Sequence, residues 1–283
     1  LQTCQRVRRT LVNKLWAWWF LCGISGCTGG VEAADARAQP VTLSVVGTND
    51  LHGQVDRLAV FAGYLANLRQ VYARKRGGVV LVDAGDLFQG TLESNLGEGD
   101  VIVDAYNSLG YTAATIGNHE FDFGPVGPAA TPRGAKEDPL GALRARIQQA
   151  RFPFLSANLI DTRTNAPVLG VRPSVLVRVA GVKVGIIGGT TEATLHTTIA
   201  ANVRDLAVTD LVVAILREAT ALRKKGAVLV VALVHAGGRC EKFDPIGAPT
   251  DTSSCDPNQE VMALAQRLSP RDIDVIVAGH THA

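Results

Sequence analysis

A chain of 283 residues, 47% of them hydrophobic, is long enough to bury a substantial core in one large domain or two small ones, and we expect one. The formal net charge is +2 and the basic residues are spread along the chain, so beyond the N-terminus nothing marks a surface for nucleic-acid polymers or acidic membranes. The first residue is Leu1 and the only methionine is Met262, as expected either of an unusual initiation codon or of a fragment.

Residues 1–38 indicate a targeting segment that precedes the folded domain. A basic stretch from Arg6 to Lys14 is followed by an apolar run at residues 15–22, too short for a bilayer span of about 20 residues. Residues 24–27 (ISGC) resemble the bacterial lipobox, in which Cys27 becomes the lipidated first residue of the mature protein. The alternative is cleavage after an Ala-x-Ala site at residues 36–38. Both interpretations predict an exported protein, periplasmic or at the cell surface, that meets the membrane only through a lipid anchor.

Predicted strands and helices alternate along the rest of the chain. Apolar and β-branched runs predict strands at residues 42–47, 79–82, 112–116, 154–158 and 228–234, and a further strand that begins at Ile273 and leads to residues 279–282. Helical periodicity predicts helices at residues 60–76, 101–109, 141–150 and 210–225, the last being the longest clear one. Residues 175–179 and 182–187 predict a β-hairpin, and the Gly- and Pro-rich residues 124–139 an exposed insertion. This order predicts an α/β fold with a largely parallel sheet and ligands at the carboxyl ends of its strands.

Five predicted strands end in motifs that carry Asp, Asn or His: residues 48–52 (TNDLH), 83–86 (DAGD), 117–122 (GNHEFD), 234–237 (VHAG) and 279–282 (GHTH). Ionisable groups clustered at strand ends cost desolvation energy unless something binds there. Five of the six histidines fall in these motifs, and only His196 lies outside, as a structural or exposed residue. The strand ends therefore predict one shared binding site.

The donors in these motifs are oxygen and nitrogen atoms without a thiolate, which suits Mn, Fe, Zn or Co rather than a structural zinc. Counting one donor per residue gives seven, too many for a single ion with open positions: Asp50, His52, Asp86, Asn118, His235, His280 and His282. Two divalent ions about 3.5–4 Å apart that share a carboxylate suit in-line displacement at phosphorus. The sequence therefore predicts a dinuclear metal centre.

The five motifs resemble those of the calcineurin-like metallophosphoesterases from about Thr42 to the last residue, and residues 49–52 with 117–122 are most similar to the bacterial 5′-nucleotidase / UDP-sugar hydrolase branch. The resemblance implies that residues 39–283 form a metallophosphoesterase-type sandwich of mostly parallel β-sheets flanked by helices. It also implies two ligand sets that share a bridging Asp86. One set is Asp50, His52, Asp86 and His282, and the other is Asp86, Asn118, His235 and His280.

The same resemblance implies the catalytic roles. A metal-bridging hydroxide attacks the phosphate, while His119, which is not a ligand, hydrogen-bonds the phosphoryl oxygen or leaving group. Asp122 holds His119 in a dyad, and a carboxylate three residues on can fix the tautomer and favour imidazolium. Two further carboxylates, Asp83 and Glu120, are expected to support the ligands or their turns. Backbone-permissive positions beside the metals are expected at Gly53, Gly85, Gly117 and Gly279.

The expected activity is hydrolysis of a small-molecule phosphoester, in the first place a nucleotide monoester. A 2′,3′-cyclic nucleotide phosphodiesterase and a thiosulfohydrolase of the same fold family share the metal motifs. A metal-binding but catalytically idle surface lipoprotein is the alternative of another class, and the intact His119 and Asp122 argue against it. The resembling branch has a C-terminal domain that binds the nucleoside; we expect it to be absent from this chain and nucleotide preference to be weak. Oligomeric state is left open.

Cys240 and Cys255 are the only cysteines after Cys27. In an exported protein they can form a disulfide that closes a surface loop, worth roughly 3 kcal/mol in the loop-entropy model. The alternative is two free thiols. The Pro and Gly residues between them favour a stapled loop over a core element.

Overall fold

The structure, a computed structural model, describes residues 40–242 and 251–282. The described residues form seven α-helices, α1 to α7: Leu58–Arg74, Leu92–Leu96, Asp100–Leu109, Gly141–Gln149, Ala200–Val203, Leu211–Lys224 and Glu260–Arg267. They also form eleven strands, β1 to β11: Leu43–Thr48, Gly78–Asp83, Ala113–Thr115, Phe154–Leu155, Leu159–Asp161, Ala166–Pro167, Ser174–Val179, Val182–Thr190, Leu206–Val208, Leu229–His235 and Val275–Ala278. The predicted targeting segment, with Cys27, lies outside these ranges. Within them, no helix has the length and apolar content that a membrane span requires.

Two four-stranded sheets carry most of the strands. The first has the order β1-β2-β3-β4 and is parallel throughout, with Val46 opposite Leu81. The second has the order β11-β10-β8-β7; β11, β10 and β8 are parallel, and β7 and β8 form the predicted antiparallel hairpin. A small antiparallel sheet, β6-β5-β9, was not predicted. All five strands that lead into the polar motifs lie in the two large sheets.

The two large sheets pack face to face around a shared apolar core. Alternate residues of β10 show the arrangement, since Val231 and Leu233 point into this core while Val230 and Ala232 point to the helices outside. Both faces of β10 are therefore buried, which explains its continuous apolar sequence. The inner core combines residues from the first sheet, such as Val45, Val80, Val82 and Leu155, with residues from the second, such as Val184, Ile186 and Val277.

Helices cover the two outer faces. Helices α1, α3 and α4 bury Phe61, Tyr106 and Leu143 with the outer residues of the first sheet, and α6 and α7 cover the second. Helix α6 begins where the Asp210 side chain accepts a hydrogen bond from the Val213 amide at 2.8 Å, a cap worth about 1 kcal/mol. The layers run helix, sheet, sheet, helix, so the predicted sandwich of mostly parallel sheets is confirmed.

The boundaries of the longer elements agree with the sequence prediction within a few residues. The prediction of which helix is the longest was wrong. Helix α1 has 17 residues and α6 has 14, so residues 210–225 do not form the longest helix. The predicted range 60–76 already has the length of α1, but the exposed apolar residues Val60 and Tyr64 blur its periodicity, so that α6 is the clearer helix in the sequence. Residues 124–139 contain no helix or strand and are mostly exposed, as predicted. The missed elements are the short ones, where periodicity has too few residues to register: α2, α5, α7, β5, β6 and β9.

The structure joins Cys240 and Cys255 through a disulfide at the base of a loop of which residues 243–250 lie outside the described ranges. The Glu241 amide donates to the Ser254 carbonyl beside it at 3.1 Å. We expect a tryptic digest of alkylated, unreduced protein to contain the peptide 240–242 linked to the peptide 243–267, and reduction before alkylation to separate them. Mass spectrometry of the two digests checks this, and recovery of both cysteines alkylated without reduction would contradict the pairing.

Candidate metal centre and active site

The five polar motifs converge where the two sheets meet, at the carboxyl ends of β1, β2, β3, β10 and β11. Five of the seven predicted ligands have positive φ, a region that non-glycine residues rarely adopt: Asp50 (49°), His52 (48°), Asp86 (61°), His280 (95°) and His282 (53°). Each such residue costs of order 1–3 kcal/mol unless its surroundings hold it. The backbone holds these loops by direct bonds, because the Asp50 and His52 amides donate to the Gly85 and Asp86 carbonyls at 2.9 and 3.0 Å.

The first predicted ligand set lies together as expected. His52 Nε2 is 2.9 Å from His282 Nε2 and 3.9 Å from Asp86 Oδ2, and His282 Nε2 is 3.7 Å from Asp50 Oδ1. Both carboxylate oxygens of Asp50 accept from the His280 amide, at 2.9 and 3.0 Å, which orients that carboxylate. The side chain of His282 is 57% exposed, so this half of the site is open to solvent.

The second predicted set is deeper. His235 is fully buried at the end of β10, and its Nε2 lies 3.0 Å from Asp86 Oδ2, 3.0 Å from Asn118 Oδ1 and 3.2 Å from His280 Nδ1. The Asn118 amide group donates to the Thr197 carbonyl at 3.2 Å, which turns its oxygen toward His235. Asp86 thus reaches both sets, as a bridging ligand must.

The hydrogen bonds of two ligand imidazoles orient their other ring nitrogen for binding a cation. Backbone carbonyls accept from the far nitrogen of two imidazoles, Gln89 from His52 Nδ1 at 2.8 Å and Ala84 from His235 Nδ1 at 2.9 Å. In the neutral ring this places the Nε2 lone pair toward the site, the arrangement that metal-binding histidines show. Each of these nitrogens lies close to a second imidazole nitrogen, His52 Nε2 at 2.9 Å from His282 Nε2 and His235 Nε2 at 3.2 Å from His280 Nδ1. With the carboxylate of Asp86, such pairs fit a divalent ion of the Mn, Fe, Zn or Co type.

In the buried half of the site, Asp86 and His235 shift each other's pKa. Burial alone would raise the pKa of Asp86, but its hydrogen bond to His235 and the charge of that ring hold the pKa below its usual value. Burial would lower the pKa of His235, yet Asp86 and the Ala84 carbonyl raise it to about 9. A proton on His235 Nε2 would occupy the position that a cation takes, so metal binding there should release a proton.

Two of the predicted permissive glycines are required by close contacts. Gly85 has φ +94°, and a methyl group there would lie 2.8 Å from His235 Nδ1. A methyl group at Gly117 would overlap Asp86 Oδ1. These positions let the β2 and β3 loops approach the same carboxylate.

Glu120 ties the two central loops together. This carboxylate, 1% exposed, accepts from the amides of Asp86 at 3.0 Å, Leu87 at 2.7 Å and Gly117 at 2.7 Å. Burial first, and then the charge of Asp86, raises the pKa of Glu120, while the amides of Leu87 and Gly117 oppose the rise. It therefore supports the ligand loops, the role expected from the sequence.

His119 and Asp122 form the expected pair on one short turn. His119 Nδ1 lies 2.5 Å from Asp122 Oδ2, and this hydrogen bond is the main reason that the pKa of His119 is raised, with burial opposing it. An imidazolium with Nδ1 engaged presents an Nε2 proton for donation. A nitrogen of His119 also lies within 4.8 Å of ligand atoms of His52 and Asp86, so the ring borders the first ligand set.

Asp83 lies behind the ligands in a buried cluster of hydroxyl groups. It accepts from Thr48 Oγ1 at 2.6 Å, Tyr106 Oη at 2.8 Å and the Gly85 amide at 2.8 Å, and Tyr111 Oη lies 2.8 Å from the same Thr48 oxygen. Burial outweighs these hydrogen bonds and raises the pKa of Asp83 from 3.8 to about 7, with the charge of Asp50 adding a smaller effect. Burial likewise raises the pKa of Tyr111, so both tyrosines stay protonated donors.

This pKa predicts a pH-dependent penalty on stability. Between pH 3.8 and about 7 the native state holds a proton on Asp83 that the unfolded chain lacks, so the free energy of unfolding falls as pH rises through this window. Moving a pKa from 3.8 to about 7 corresponds to about 4 kcal/mol at most. We expect Asp83→Asn, whose amide can donate to Thr48 or Tyr106, to gain stability relative to wild type from pH 4 to pH 8.

Urea unfolding at pH 4, 6 and 8 measures this difference, with a chelator in both samples so that bound metal does not contribute. A difference between Asp83→Asn and wild type that is the same at all three pH values would contradict the prediction.

The seven predicted ligands and the pair His119 and Asp122 come together in the structure, and His196 is exposed on the 3₁₀ turn Glu192–His196. The sequence did not reveal the carbonyls of Ala84, Gln89 and Thr197, because a backbone acceptor leaves no residue signature. It also did not reveal Thr198, whose hydroxyl donates to Asp122 Oδ1 at 2.7 Å, since it lies 76 residues away outside any motif.

A protein family and several known proteins match most of this chain. A family model described as calcineurin-like phosphoesterase matches residues 43–283. The 5′-nucleotidase of Diplobatis ommata is 29% identical over 260 residues, 87% of this chain and 38% of that protein. The 5′-nucleotidase of Vibrio parahaemolyticus is 27% identical over 282 residues, 97% of this chain and 46% of that protein. The solved structure of NAD nucleotidase from Haemophilus influenzae matches with a TM-score of 0.62 at 24% identity, over 85% of this chain and 38% of its own.

The chain spans less than half the length of these relatives. The structural match supports the fold, and the family match extends from β1 through all five motifs. Family and fold were both predicted from those motifs, and both are confirmed: the chain belongs to the calcineurin-like phosphoesterase family.

Proposed function

We propose that this chain is a metal-dependent phosphomonoesterase of the 5′-nucleotidase type. The observation that carries the proposal is the position of Asp86, whose Oδ2 is 3.0 Å from His235 Nε2 and 3.9 Å from His52 Nε2. One carboxylate that reaches two donor sets suits a pair of cations, and a pair suits displacement at phosphorus. The choice of a nucleotide as substrate is supported by the similarity to the 5′-nucleotidases of D. ommata and V. parahaemolyticus.

In this proposal the seven ligands hold two divalent ions, which lower the pKa of a water molecule and neutralise charge on the phosphoryl group when bound. Asp50, His52, Asp86 and His282 would hold one ion, and Asp86, Asn118, His235 and His280 would hold the other. The carbonyls of Gln89 and Ala84 keep the Nδ1 protons of His52 and His235 in place. Glu120 fixes the spacing between the loops that carry Asp86 and Asn118.

His119 supplies the charge stabilisation that is not metal-based. Its Nδ1 proton is held by Asp122, so the Nε2 proton of the imidazolium is donated to the phosphoryl oxygen or to the leaving oxygen. The leaving alkoxide needs a proton when the P–O bond breaks, and a donor at this position meets that need. The exposed half of the site, beside His282, gives the substrate access.

We further propose that the protein is exported and lipidated at Cys27, on the pattern of residues 6–27, which lie outside the described ranges. The same ligand residues would also suit a cyclic nucleotide phosphodiesterase or a thiosulfohydrolase. A substrate panel distinguishes these activities from phosphomonoester hydrolysis.

A substrate panel tests the activity. The purified chain is stripped with a chelator, reloaded with Mn, Zn or Co, and assayed with AMP, UMP, an aryl phosphate, a 2′,3′-cyclic nucleotide and an S-sulfonated thiol. We expect metal-dependent phosphate release from the three monoesters. Activity confined to the cyclic nucleotide or the S-sulfonated thiol would overturn the proposal. His119→Ala, purified in parallel, controls for contaminating phosphatases.

A further inference from the structure

The segment between β8 and α5, residues 191–199, lies against the turn that carries Asn118, His119 and Asp122. At its start the Thr191 amide donates to the His235 carbonyl at 3.1 Å, which ties the segment to a ligand strand. Further along, the Thr197 carbonyl accepts from the Asn118 side chain. The segment therefore contacts the site at separate points although it carries none of the five motifs.

Its contact with the dyad is made by Thr198. Asp122 has two carboxylate oxygens, and each accepts one hydrogen bond: Oδ2 from His119 Nδ1 at 2.5 Å, and Oδ1 from Thr198 Oγ1 at 2.7 Å. Two donors on opposite oxygens fix the rotation of a carboxylate, which one donor alone leaves free. The plane of Asp122, and through it the direction of the His119 ring, is thus determined by a residue 76 positions away.

The neighbouring contacts support a positioning role over simple packing. Asn202, 1% exposed, donates to the Phe121 carbonyl at 2.8 Å, so the backbone of the turn is already anchored without Thr198. The Thr198 hydroxyl adds a bond to the side chain of Asp122 alone. A hydrogen bond to a charged group contributes about 1.5–3 kcal/mol, enough to change the orientation of a catalytic donor.

We propose that Thr198 is a positioning residue for phosphoryl transfer, acting through Asp122 on His119. This inference rests on the proposed function, because it assumes that His119 donates to the phosphate. It predicts that removing the hydroxyl lowers turnover while leaving metal binding and substrate affinity unchanged, since the Thr198 hydroxyl donates to Asp122, which is not one of the proposed metal ligands. The conservative Ser retains the hydroxyl and should restore function.

The test compares Thr198→Val, Thr198→Ser and Thr162→Val, all loaded with Zn. Thr162 is the matched control, because its hydroxyl donates instead to the Asp205 carbonyl at 2.9 Å. The first readout is independent of activity: ¹⁵N NMR of labelled histidine, with the His119 signal assigned by its loss in His119→Ala. We expect the His119 Nδ1 resonance to move in Thr198→Val and to keep its wild-type position in Thr198→Ser and Thr162→Val.

The second readout is turnover of an aryl phosphate. We expect kcat to fall about tenfold in Thr198→Val with KM and metal content unchanged, and to recover in Thr198→Ser. Unchanged His119 resonances in Thr198→Val would overturn the inference whatever the activity, as would an equal loss of kcat in Thr198→Ser. If the resonance moves but wild type and His119→Ala turn over equally, the role proposed for His119 fails while the positioning contact stands.

Discussion

Asp86→Ala is expected to lose both metal ions and with them all metal-dependent turnover. The reason is the position of Asp86 between the two donor sets, 3.0 Å from His235 Nε2 and 3.9 Å from His52 Nε2. Its removal also leaves His235 buried without its carboxylate partner, and breaking such a pair costs several kcal/mol. Elemental analysis after dialysis gives the number of ions per chain.

His52→Ala is the comparison variant, because it removes a donor from one set only. We expect it to keep the ion held by Asn118, His235 and His280 and to weaken the other. If Asp86→Ala still holds two ions per chain, this carboxylate does not bridge. If both variants lose the same amount of metal, the two ions bind cooperatively and His52 is not specific to one of them.

His119→Ala is expected to keep its metals and lose turnover by about 100-fold or more, the usual cost of removing one donor that stabilises transition-state charge. The structure engages His119 Nδ1 with Asp122, which leaves a single ring nitrogen for the substrate. Measuring kcat and metal content on the same preparation separates the two effects.

The exposed His196 provides the matched histidine control, and His196→Ala should behave as wild type in both measurements. Because a nitrogen of His119 also lies within 4.8 Å of ligand atoms of His52 and Asp86, a ligand role is the specific alternative. If His119→Ala loses one ion as well as its turnover, His119 is a ligand and the proposed donor role is wrong.

The residues proposed to bind metal and to act on the substrate through their side chains were predictable from the sequence, and the backbone groups that support them were not. Asp50, His52 and Asp86 follow apolar strands, and parallel strands bring their carboxyl ends to one edge, so proximity follows from strand order alone. The motifs alone also assigned His235 and His280 to this site, but as ends of one largely parallel sheet; only the family resemblance indicated that they lie on a second sheet packed against the first. Sequence periodicity does not show which sheet faces which.

The contacts that hold the ligand side chains in place depend on backbone conformation and on the path of the chain, and sequence patterns show neither. Asp86 and His282 adopt positive φ although neither is glycine, a strain that the loop contacts of the fold maintain. Thr198 reaches Asp122 through the path of a connecting segment, and no spacing rule links residues 76 apart. Short strands such as β5 and β9 form by pairing with each other, so their own residues carry a weak signal.

The most direct test of a two-cation centre is anomalous diffraction from crystals of the chain grown with Mn or Zn. The proposal predicts two anomalous peaks about 3.5–4 Å apart, both in contact with Asp86, one beside His52 and His282 and the other beside His235 and His280. A single peak, or two peaks that do not share Asp86, would contradict the dinuclear account.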